Sequence, residues 1–354
     1  MEHMPPAVNS RTEEISGRGL PASLGAVVTI VDVARAAGVS KSTVSRVLDE
    51  RLPHSNSATA ERVRQVAAEL GYVRDPLASG LRRSGTNTLG VIVPRLTDTV
   101  MAMLYEQIVA ASGERGMFAV VATTEDQPDS ETLAVQTLIR RRVDGLILTT
   151  ARFGHPVAQG VPHALALRTD GIGPASLGDD ELGARLAVRH LIDYGHRRIG
   201  LVGGPGYASS ALHRLKGYRL ALQDAGLPAG DDLVCGDAFS IEAGESAGRT
   251  LLGRPDRPTA IFAVNDNTAI GVMAAAHALG LSIPDDLSLV GYNDIPVVSR
   301  LPVPLTTVRV PFRQIATNAL DLLNDARRNT APRTVVTPPT LIPRRSTGPA
   351  PRSS

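Results

Sequence analysis

Six short, uninterrupted apolar runs alternate with helical segments along residues 86–304. The runs are LGVIV (89–93), FAVVA (118–122), LILT (146–149), IGLV (199–202), AIFAV (260–264) and LSLVG (287–291). A continuous apolar run of this length is typical of a strand that is buried on both faces. The segments between the runs include predicted helices over residues 101–115, 130–142, 182–194, 210–225 and 267–279. The alternation predicts an α/β fold with parallel sheets and right-handed crossovers.

The preceding segment, residues 28–71, has a different pattern, that of short capped helices. Thr29 is a good N-cap for a helix over residues 30–37, and Asp32 can return a hydrogen bond to that cap. Gly38 is placed to end the helix, because a tight turn often needs a residue that tolerates a positive φ. A second helix can begin at once after this turn.

The second helix is predicted to be amphipathic. Ser40 can cap it, and it extends to about Leu48. Its apolar side carries Val44, Val47 and Leu48, and its polar side carries Lys41, Ser42, Ser45 and Arg46. A third helix is expected over residues 58–71. A hydroxyl-rich, cationic face on the second of two short helices suits entry into a DNA major groove, and a compact three-helix unit without DNA contact is the alternative.

These residues carry a resemblance to a known family. The run TIVDVARAAGVSKSTVSRVL resembles the helix-turn-helix of the LacI/GalR family of bacterial transcription regulators, and ELGYVRDPLASGLR resembles the hinge segment of that family. Farther along, DYGHRRIGLVGGPG, RLKGYRLAL, AIFAVNDNTAIGVM, IPDDLSLVGYND and LPVPLTTVR follow the order and spacing of the family. The resemblance covers nearly all of residues 28–347. It implies a multidomain protein with an all-α DNA-binding head and a two-lobed, periplasmic-binding-protein-like α/β domain.

The resemblance also implies a domain organisation. We expect a disordered leader (1–26), a helix-turn-helix domain (27–73), a hinge helix or linker (74–85), an effector-binding and dimerisation domain (86–347) and a tail (348–354). The first lobe is predicted to comprise residues 86–191 and 311–325, and the second residues 194–304 and 335–347. Three crossings between the lobes would form a hinge that can close as a clamp.

By the resemblance, specific side chains contact an operator. The predicted DNA-binding residues are Thr29, Lys41, Ser42, Thr43, Ser45, Arg46, Ala78 and Leu81. Leu81 matches a hinge-helix leucine that enters a minor-groove step, where an apolar wedge kinks the duplex. Gly80 lowers helix propensity at this point, so we expect the hinge to be disordered without DNA; a plain interdomain linker is the alternative. Two such heads on a homodimer, or on a higher oligomer, require a near-palindromic site.

Other residues match effector contacts of the family. They are Val100, Met101, Arg168, Asp179, Ser210, Arg214, Phe239, Asn265 and Asn293. Arg214 is the strongest, since a forked guanidinium suits hydroxyls or a carboxylate, and Arg168 and Asp179 are weaker. Asn265 and Asn293 could serve only as helix caps, Phe239 could be ordinary core, and Arg214 could be a surface residue.

The chemistry of the effector is less constrained. Relatives usually carry a pair of aromatic residues where this chain has Val100 and Met101, and only 3% of its residues are aromatic, with no tryptophan. Sugar rings commonly stack on aromatic side chains, so a sugar effector is one candidate beside a nucleoside, a sugar acid or another small polar metabolite. The resemblance favours a repressor over an activator and is compatible with an inducer or a corepressor.

Composition narrows the remaining function classes. A net charge of +2 is too small to indicate nucleic-acid binding by itself, so that prediction depends on the local pattern of charged residues. Cys235 is the single cysteine, which excludes an intramolecular disulfide. We expect no metal, no cofactor, no enzymatic activity, no membrane partner and a cytoplasmic location, since the sequence lacks a secretory signal, a nucleophile elbow and a phosphate loop. A secreted solute-binding protein and an α/β enzyme are the rival interpretations.

Overall fold

The computed structural model describes residues 28–49, 52–53, 55–72, 85–155 and 160–351. The chain divides into two compact units, residues 1–83 and residues 84–354. The predicted leader and the predicted hinge segment up to residue 84, which includes Ala78 and Leu81, lie outside the described residues.

The described part of the first unit contains three short helices, α1 (Ile30–Ala37), α2 (Lys41–Val47) and α3 (Ala58–Glu69). They pack around Val33, Val44 and Val63, which are fully buried. Gly38 follows α1 with a φ of 69°, so the predicted glycine turn is confirmed. Ser40 accepts a hydrogen bond from the backbone N–H of Thr43 and begins α2, as the sequence predicts.

The second unit contains two six-stranded sheets, each at the centre of one lobe. The first sheet has the spatial order β11 (Thr334–Thr337), β5 (Ala175–Gly178), β4 (His163–Ala166), β3 (Gly145–Leu148), β1 (Thr88–Val93) and β2 (Phe118–Thr123). All of its neighbouring strands run parallel. Helices α4 (Thr99–Gly113), α5 (Pro128–Arg140) and α10 (Phe312–Arg327) pack against it.

The second sheet repeats this architecture. Its spatial order is β12 (Thr340–Ile342), β10 (Thr306–Arg309), β9 (Ser288–Asn293), β8 (Ala260–Ala263), β6 (Ile199–Val202) and β7 (Val234–Cys235). Its pairings are parallel except for the antiparallel pair of β10 and β12. The helices of this lobe are α6 (Asp180–Asp193), α7 (Ser209–Asp224), α8 (Ile241–Leu252) and α9 (Asp266–Ala278). The predicted parallel α/β architecture is confirmed.

The predicted lobe boundaries are wrong at two points. Helix α6 was assigned to the first lobe, but it packs against α7 and against β8, β9, β10 and β12 of the second. Residues 335–347 were assigned to the second lobe, but β11 pairs with β5 in the first sheet and only β12 pairs with β10. The chain still crosses between the lobes three times, after β5, β10 and β11. Each crossing falls in a few residues between buried elements, and the sequence does not mark it.

Helix α8 is an element that the sequence analysis did not identify. It contains Gly244 and Gly248, and glycine weakens a helical pattern. Gly244 is required by packing, because a Cβ atom there would lie 2.2 Å from the carbonyl oxygen of Thr268 in α9. Gly244 thus weakens the helical pattern in the sequence, and it also lets α8 and α9 approach closely.

Candidate DNA-reading helix and effector cavity

Helix α2 presents a polar face to solvent. Lys41, Ser42, Ser45 and Arg46 are exposed, whereas Val44 is fully buried against α1 and α3. No ion pair within the described residues engages Lys41 or Arg46, so both cations are available to phosphates or base edges. The amphipathic division predicted for this helix is confirmed.

Hydroxyl groups at the start of α1 and α2 are held in place by local hydrogen bonds. The backbone N–H and the hydroxyl of Thr29 both donate to the Asp32 carboxylate, at 2.9 and 2.6 Å. These bonds lower the pKa of Asp32. The Ser40 hydroxyl lies 2.8 Å from those of Ser42 and Thr43, which orients two of the predicted DNA contacts. Thr29 is exposed as well, at the entry to α1.

A cavity lies between the two lobes and brings together eight of the nine predicted effector contacts. Its volume is about 400 Å³, including the solvent at its mouth. It is lined by Asp98, Val100, Met101, Leu167, Arg168, Ser210, Arg214, Phe239, Asn265 and Asn293. The first five come from the first lobe and the others from the second, so a ligand here contacts both lobes. Because the sheets are parallel, polar residues beyond the carboxyl ends of their strands meet at one edge.

Arg214 is held rigidly inside this cavity wall. Its Nε atom donates to Asp180 at 2.8 Å and its Nη1 atom donates to the carbonyl oxygen of Val264 at 2.7 Å. Its Nη2 atom lies 2.8 Å from the same Asp180 oxygen, and its guanidinium stacks 3.8 Å over the ring of Tyr292. Burial raises the pKa of Asp180, and the adjacent Arg214 opposes that rise. The surface-residue alternative for Arg214 is therefore wrong, since the residue is only 6% exposed.

Arg168 reaches the cavity from the first lobe. Its Nη1 atom donates to both carboxylate oxygens of Asp126, at 2.9 and 3.0 Å. Its guanidinium also lies 5.5 Å from the ring centre of Phe239 in the second lobe. Phe239 is half-buried and lines the cavity.

The two asparagines differ in their roles. The Asn265 side-chain oxygen accepts from the N–H of Thr268 at the start of α9, and its nitrogen donates to the carbonyl oxygen of Phe239. The helix-cap alternative thus describes Asn265 correctly, although the residue also lines the cavity. Asn293 has a φ of 107° and ends β9 instead of capping a helix. No hydrogen bond of its side chain is found within the described chain, which leaves its amide available to a ligand.

Asp179 does not line the cavity. Its carboxylate accepts from the N–H of Leu182 at 2.9 Å and caps α6. The prediction for Asp179 lacks structural support because the carboxylate turns toward its own helix. Two lining residues, Asp98 and Leu167, were missed. Asp98 follows β1 and caps α4, so the signal that identified Asn265, a polar residue between a strand and a helix, could have found it. No pattern marks Leu167.

The lobes also touch beside the cavity. The Tyr207 hydroxyl, from the second lobe, donates to Asp126 in the first at 3.0 Å, and the N–H of Phe153 donates to the Tyr207 carbonyl oxygen at 3.1 Å. The Ser209 hydroxyl accepts from the N–H of Thr169 at 2.9 Å. These contacts hold the lobes together over the cavity.

Two other properties bear on the class of protein. Within the ranges described above, no group of three or more His, Cys, Asp or Glu side chains could hold a metal ion. Among the described helices, none combines the length and the apolar character that a membrane crossing requires.

Comparison with known proteins identifies the family. Residues 29–75 match the family described as "Bacterial regulatory proteins, lacI family", and residues 188–347 match the "Periplasmic binding protein-like domain". The chain is 32% identical to the HTH-type transcriptional regulator DegA of Bacillus subtilis (strain 168), over 91% of this chain and 98% of DegA. It is 35% identical to the ribose operon repressor of Escherichia coli (strain K12), over 84% of this chain and 92% of that repressor.

Solved structures agree with this assignment. The lac repressor dimer bound to operator and the anti-inducer ONPF is similar with a TM-score of 0.81 and 28% identity, over 91% of this chain and 99% of that chain. The transcriptional regulator CelR in complex with cellobiose is similar with a TM-score of 0.70 and 30% identity, over 90% and 99%. The exposed α2 face, the two-lobed domain with its cavity and these similarities lead to one conclusion: the chain belongs to the LacI family of bacterial transcription regulators.

Proposed function

We propose that this protein is a homodimeric, sequence-specific repressor that acts in the cytoplasm and is not an enzyme. A small polar metabolite, a sugar or a related compound, binds between the lobes and controls the affinity for a near-palindromic operator. The observation that carries the proposal is the cavity, in which side chains from both lobes converge. The similar lac repressor structure holds both an operator and a small ligand, and the CelR structure holds cellobiose.

On the DNA side, we assign base-edge and flanking-phosphate contacts to Lys41, Ser42, Thr43 and Arg46. Thr29 and Ser45 contact phosphates. The roles on α2 are supported by its polar face, where Lys41, Ser42, Ser45 and Arg46 are exposed, and the role of Thr29 by its exposed position at the entry to α1. Ala78 and Leu81 would enter the minor groove between the two heads, which favours a flexible central pyrimidine–purine step.

On the effector side, Arg214, Asn293 and Ser210 supply polar contacts from the second lobe, and Arg168 supplies one from the first. Val100, Met101 and Phe239 supply the apolar wall. A ligand that touches both lobes stabilises their closed arrangement, and the differential binding shifts operator affinity by about 1–3 kcal/mol in the usual range of allosteric coupling.

The experiment begins with selection of the genomic fragments that the purified protein binds. Operator affinity is then measured by fluorescence anisotropy, with and without metabolites processed by the neighbouring genes. We expect the active metabolite to shift operator affinity at least 5-fold, following the coupling range above.

Asn293→Gly tests the cavity directly, because glycine tolerates the φ of 107° while the amide is removed. We expect the metabolite response to be lost and the metabolite-free operator affinity to be retained. Asn329→Gly is the matched control, since Asn329 also has a positive φ of 56° but is exposed at the end of α10, away from the cavity. A full response in Asn293→Gly, or no preference for any fragment over random DNA, would contradict the proposal.

A further inference from the structure

Of the three charged side chains that line the cavity, Asp98 is the one without an ion-pair partner among the described residues. Arg168 and Arg214 line it, and each is already paired with a carboxylate, Asp126 and Asp180 respectively. Asp98 also lines the cavity, and no arginine or lysine of the described chain forms an ion pair with it. Together with their ion-pair partners, the charged residues of the lining comprise two arginines and three carboxylates. Two further cations lie nearby, since Arg95 acts to lower the pKa of Asp98 and Arg152 stacks on Tyr207.

The two arginines differ in how many donor groups they keep for a ligand. In Arg214 each of the three guanidinium nitrogens already has a protein acceptor, namely Asp180 or the carbonyl oxygen of Val264. Arg168 uses its Nη1 atom to hold both oxygens of Asp126. Bidentate binding of a carboxylate or phosphate requires two parallel N–H groups of one guanidinium. In Arg214 the contacts with Asp180 and Val264 compete for these groups. In Arg168 the Nε and Nη2 atoms have no hydrogen bond within the described residues, but an anion bound there would share the cavity with the Asp98 carboxylate. These arginines can still donate single hydrogen bonds to neutral oxygen atoms.

Asp98 is placed to accept a hydrogen bond from a ligand. Its Oδ1 atom accepts from the N–H of Val100 at 3.1 Å and more weakly from the Asn267 amide at 3.4 Å. No hydrogen bond of the other oxygen, Oδ2, is found within the described residues. Partial burial raises the pKa of Asp98, and its hydrogen bonds and the charges of Arg168 and Arg95 oppose that rise. A ligand hydroxyl can donate to Oδ2, whereas a ligand anion at the same place would face a like charge.

We propose that Asp98 determines the ligand class of the cavity: it accepts a hydrogen bond from an uncharged, hydroxyl-bearing ligand and excludes sugar acids and sugar phosphates. This inference rests on the proposed effector function. The other walls fit such a ligand, since Asn293 and Ser210 can meet hydroxyls while Met101, Leu167 and Phe239 can meet carbon–hydrogen faces.

The test uses matched sets of a neutral sugar, its aldonic acid and its phosphate. The probes are D-ribose, D-ribonate and ribose 5-phosphate, with the corresponding compounds of D-glucose and D-galactose, and their binding to the full chain is measured by isothermal titration calorimetry. We expect at least one neutral sugar to bind at least 100-fold more tightly than its acid and its phosphate. An acid or phosphate that binds more tightly than its neutral counterpart, or the absence of binding by every neutral sugar, overturns the inference.

Asp98→Asn isolates the charge, because asparagine is an equally good N-cap and preserves the start of α4. We expect this variant to bind the neutral sugar about 10-fold more weakly, a loss within the range of one hydrogen bond to a charged group. We also expect its discrimination against the acid to fall at least 10-fold. Asp179→Asn is the matched control, as Asp179 caps α6 outside the cavity, and it should change neither value. Discrimination that is unchanged in Asp98→Asn contradicts the role of Asp98.

These outcomes are separable from the proposed function. If an anionic compound binds and also alters operator affinity, the regulatory function stands and the inference about Asp98 fails. If a neutral sugar binds with the expected selectivity but leaves operator affinity unchanged, the inference stands and the regulatory proposal fails.

Discussion

Replacing Tyr207 by phenylalanine should weaken effector binding although Tyr207 does not line the cavity. The substitution removes one hydroxyl group, which donates across the cleft to Asp126 at 3.0 Å. The ring remains, and with it the stacking of Arg152 at 3.9 Å and the backbone contact with Phe153. The closed arrangement of the lobes therefore loses one hydrogen bond and keeps its shape.

The magnitude follows from the surroundings of Asp126. A hydrogen bond to a charged group contributes about 1.5–3 kcal/mol to stability. The Asp126 carboxylate is only 15% exposed, but it keeps the hydrogen bonds from Arg168, so it is not left unpaired and the lower value applies. A loss of about 1.5 kcal/mol changes the ratio of closed to open lobes roughly 10-fold. Because apparent affinity scales with the population of the binding-competent state, the dissociation constant of the effector should rise up to about 10-fold.

Isothermal titration calorimetry of the wild type and the variant measures this change. Tyr194→Phe is the matched control, because Tyr194 also lies in the second lobe, is 40% exposed, and has a hydroxyl with no hydrogen bond within the described residues. The control should stay within 2-fold of the wild type. A Tyr207→Phe variant that binds effector as tightly as the wild type would refute the idea that this contact holds the lobes together.

Two further predictions concern stability. Gly271→Ala should lower the free energy of unfolding by about 1–3 kcal/mol in chemical denaturation, since a Cβ atom there would lie 2.1 Å from the Ile241 carbonyl oxygen at the contact of α8 and α9. Gly113→Ala in α4, with nothing within 4 Å of the new atom, should instead be neutral or stabilising by up to about 1 kcal/mol, and equal losses in both variants would contradict the packing argument. Burial raises the pKa of Asp266 from 3.8 to about 7, so the folded state disfavours its ionised form, and its contribution to stability is lost as the pH rises from 4 to 7. We expect this group to lower the free energy of unfolding by up to about 1.4 kcal/mol per pH unit in that window. Urea titrations at pH 4, 5, 6 and 7 measure this dependence, which Asp266→Asn should remove. Identical pH dependences of the wild type and the variant would show that Asp266 stays ionised.

The DNA-binding head was predictable from the sequence because its signals are local. The Thr29–Asp32 cap, the positive φ of Gly38 and the Ser40 cap each involve residues no more than three positions apart. The six predicted strands were also recovered, and five of them are buried along nearly their whole length, which requires a continuous apolar run. The predicted burial on both faces is wrong for β2, an edge strand in which Phe118 is 69% exposed. The predicted lobe of α6 was wrong. A helix packs on one sheet or the other through contacts with strands that are far away in the sequence, and no local pattern specifies these contacts.

The cavity shows the same division between local and long-range information. Polar residues at strand ends were identified as a group, because parallel strands bring their carboxyl ends to one edge. Asp179 satisfied this pattern but turns toward its own helix, and Asp98 satisfied it but was overlooked. A position at a strand end does not specify where a side chain points.

The sequence by itself determined the family, the parallel α/β architecture, the polar face of α2 and most of the cavity wall. All of these depend on capping, apolar periodicity and motif order, which are signals carried by residues close together in the sequence. Only the tertiary structure decided the electrostatics of the cavity, because the carboxylates that pair with Arg168 and Arg214 lie 42 and 34 positions away along the chain. Coulombic interactions depend on distance in space, so two features emerged only when the chain was folded: the pairing of both arginines, and an Asp98 carboxylate that has no ion pair with any described residue.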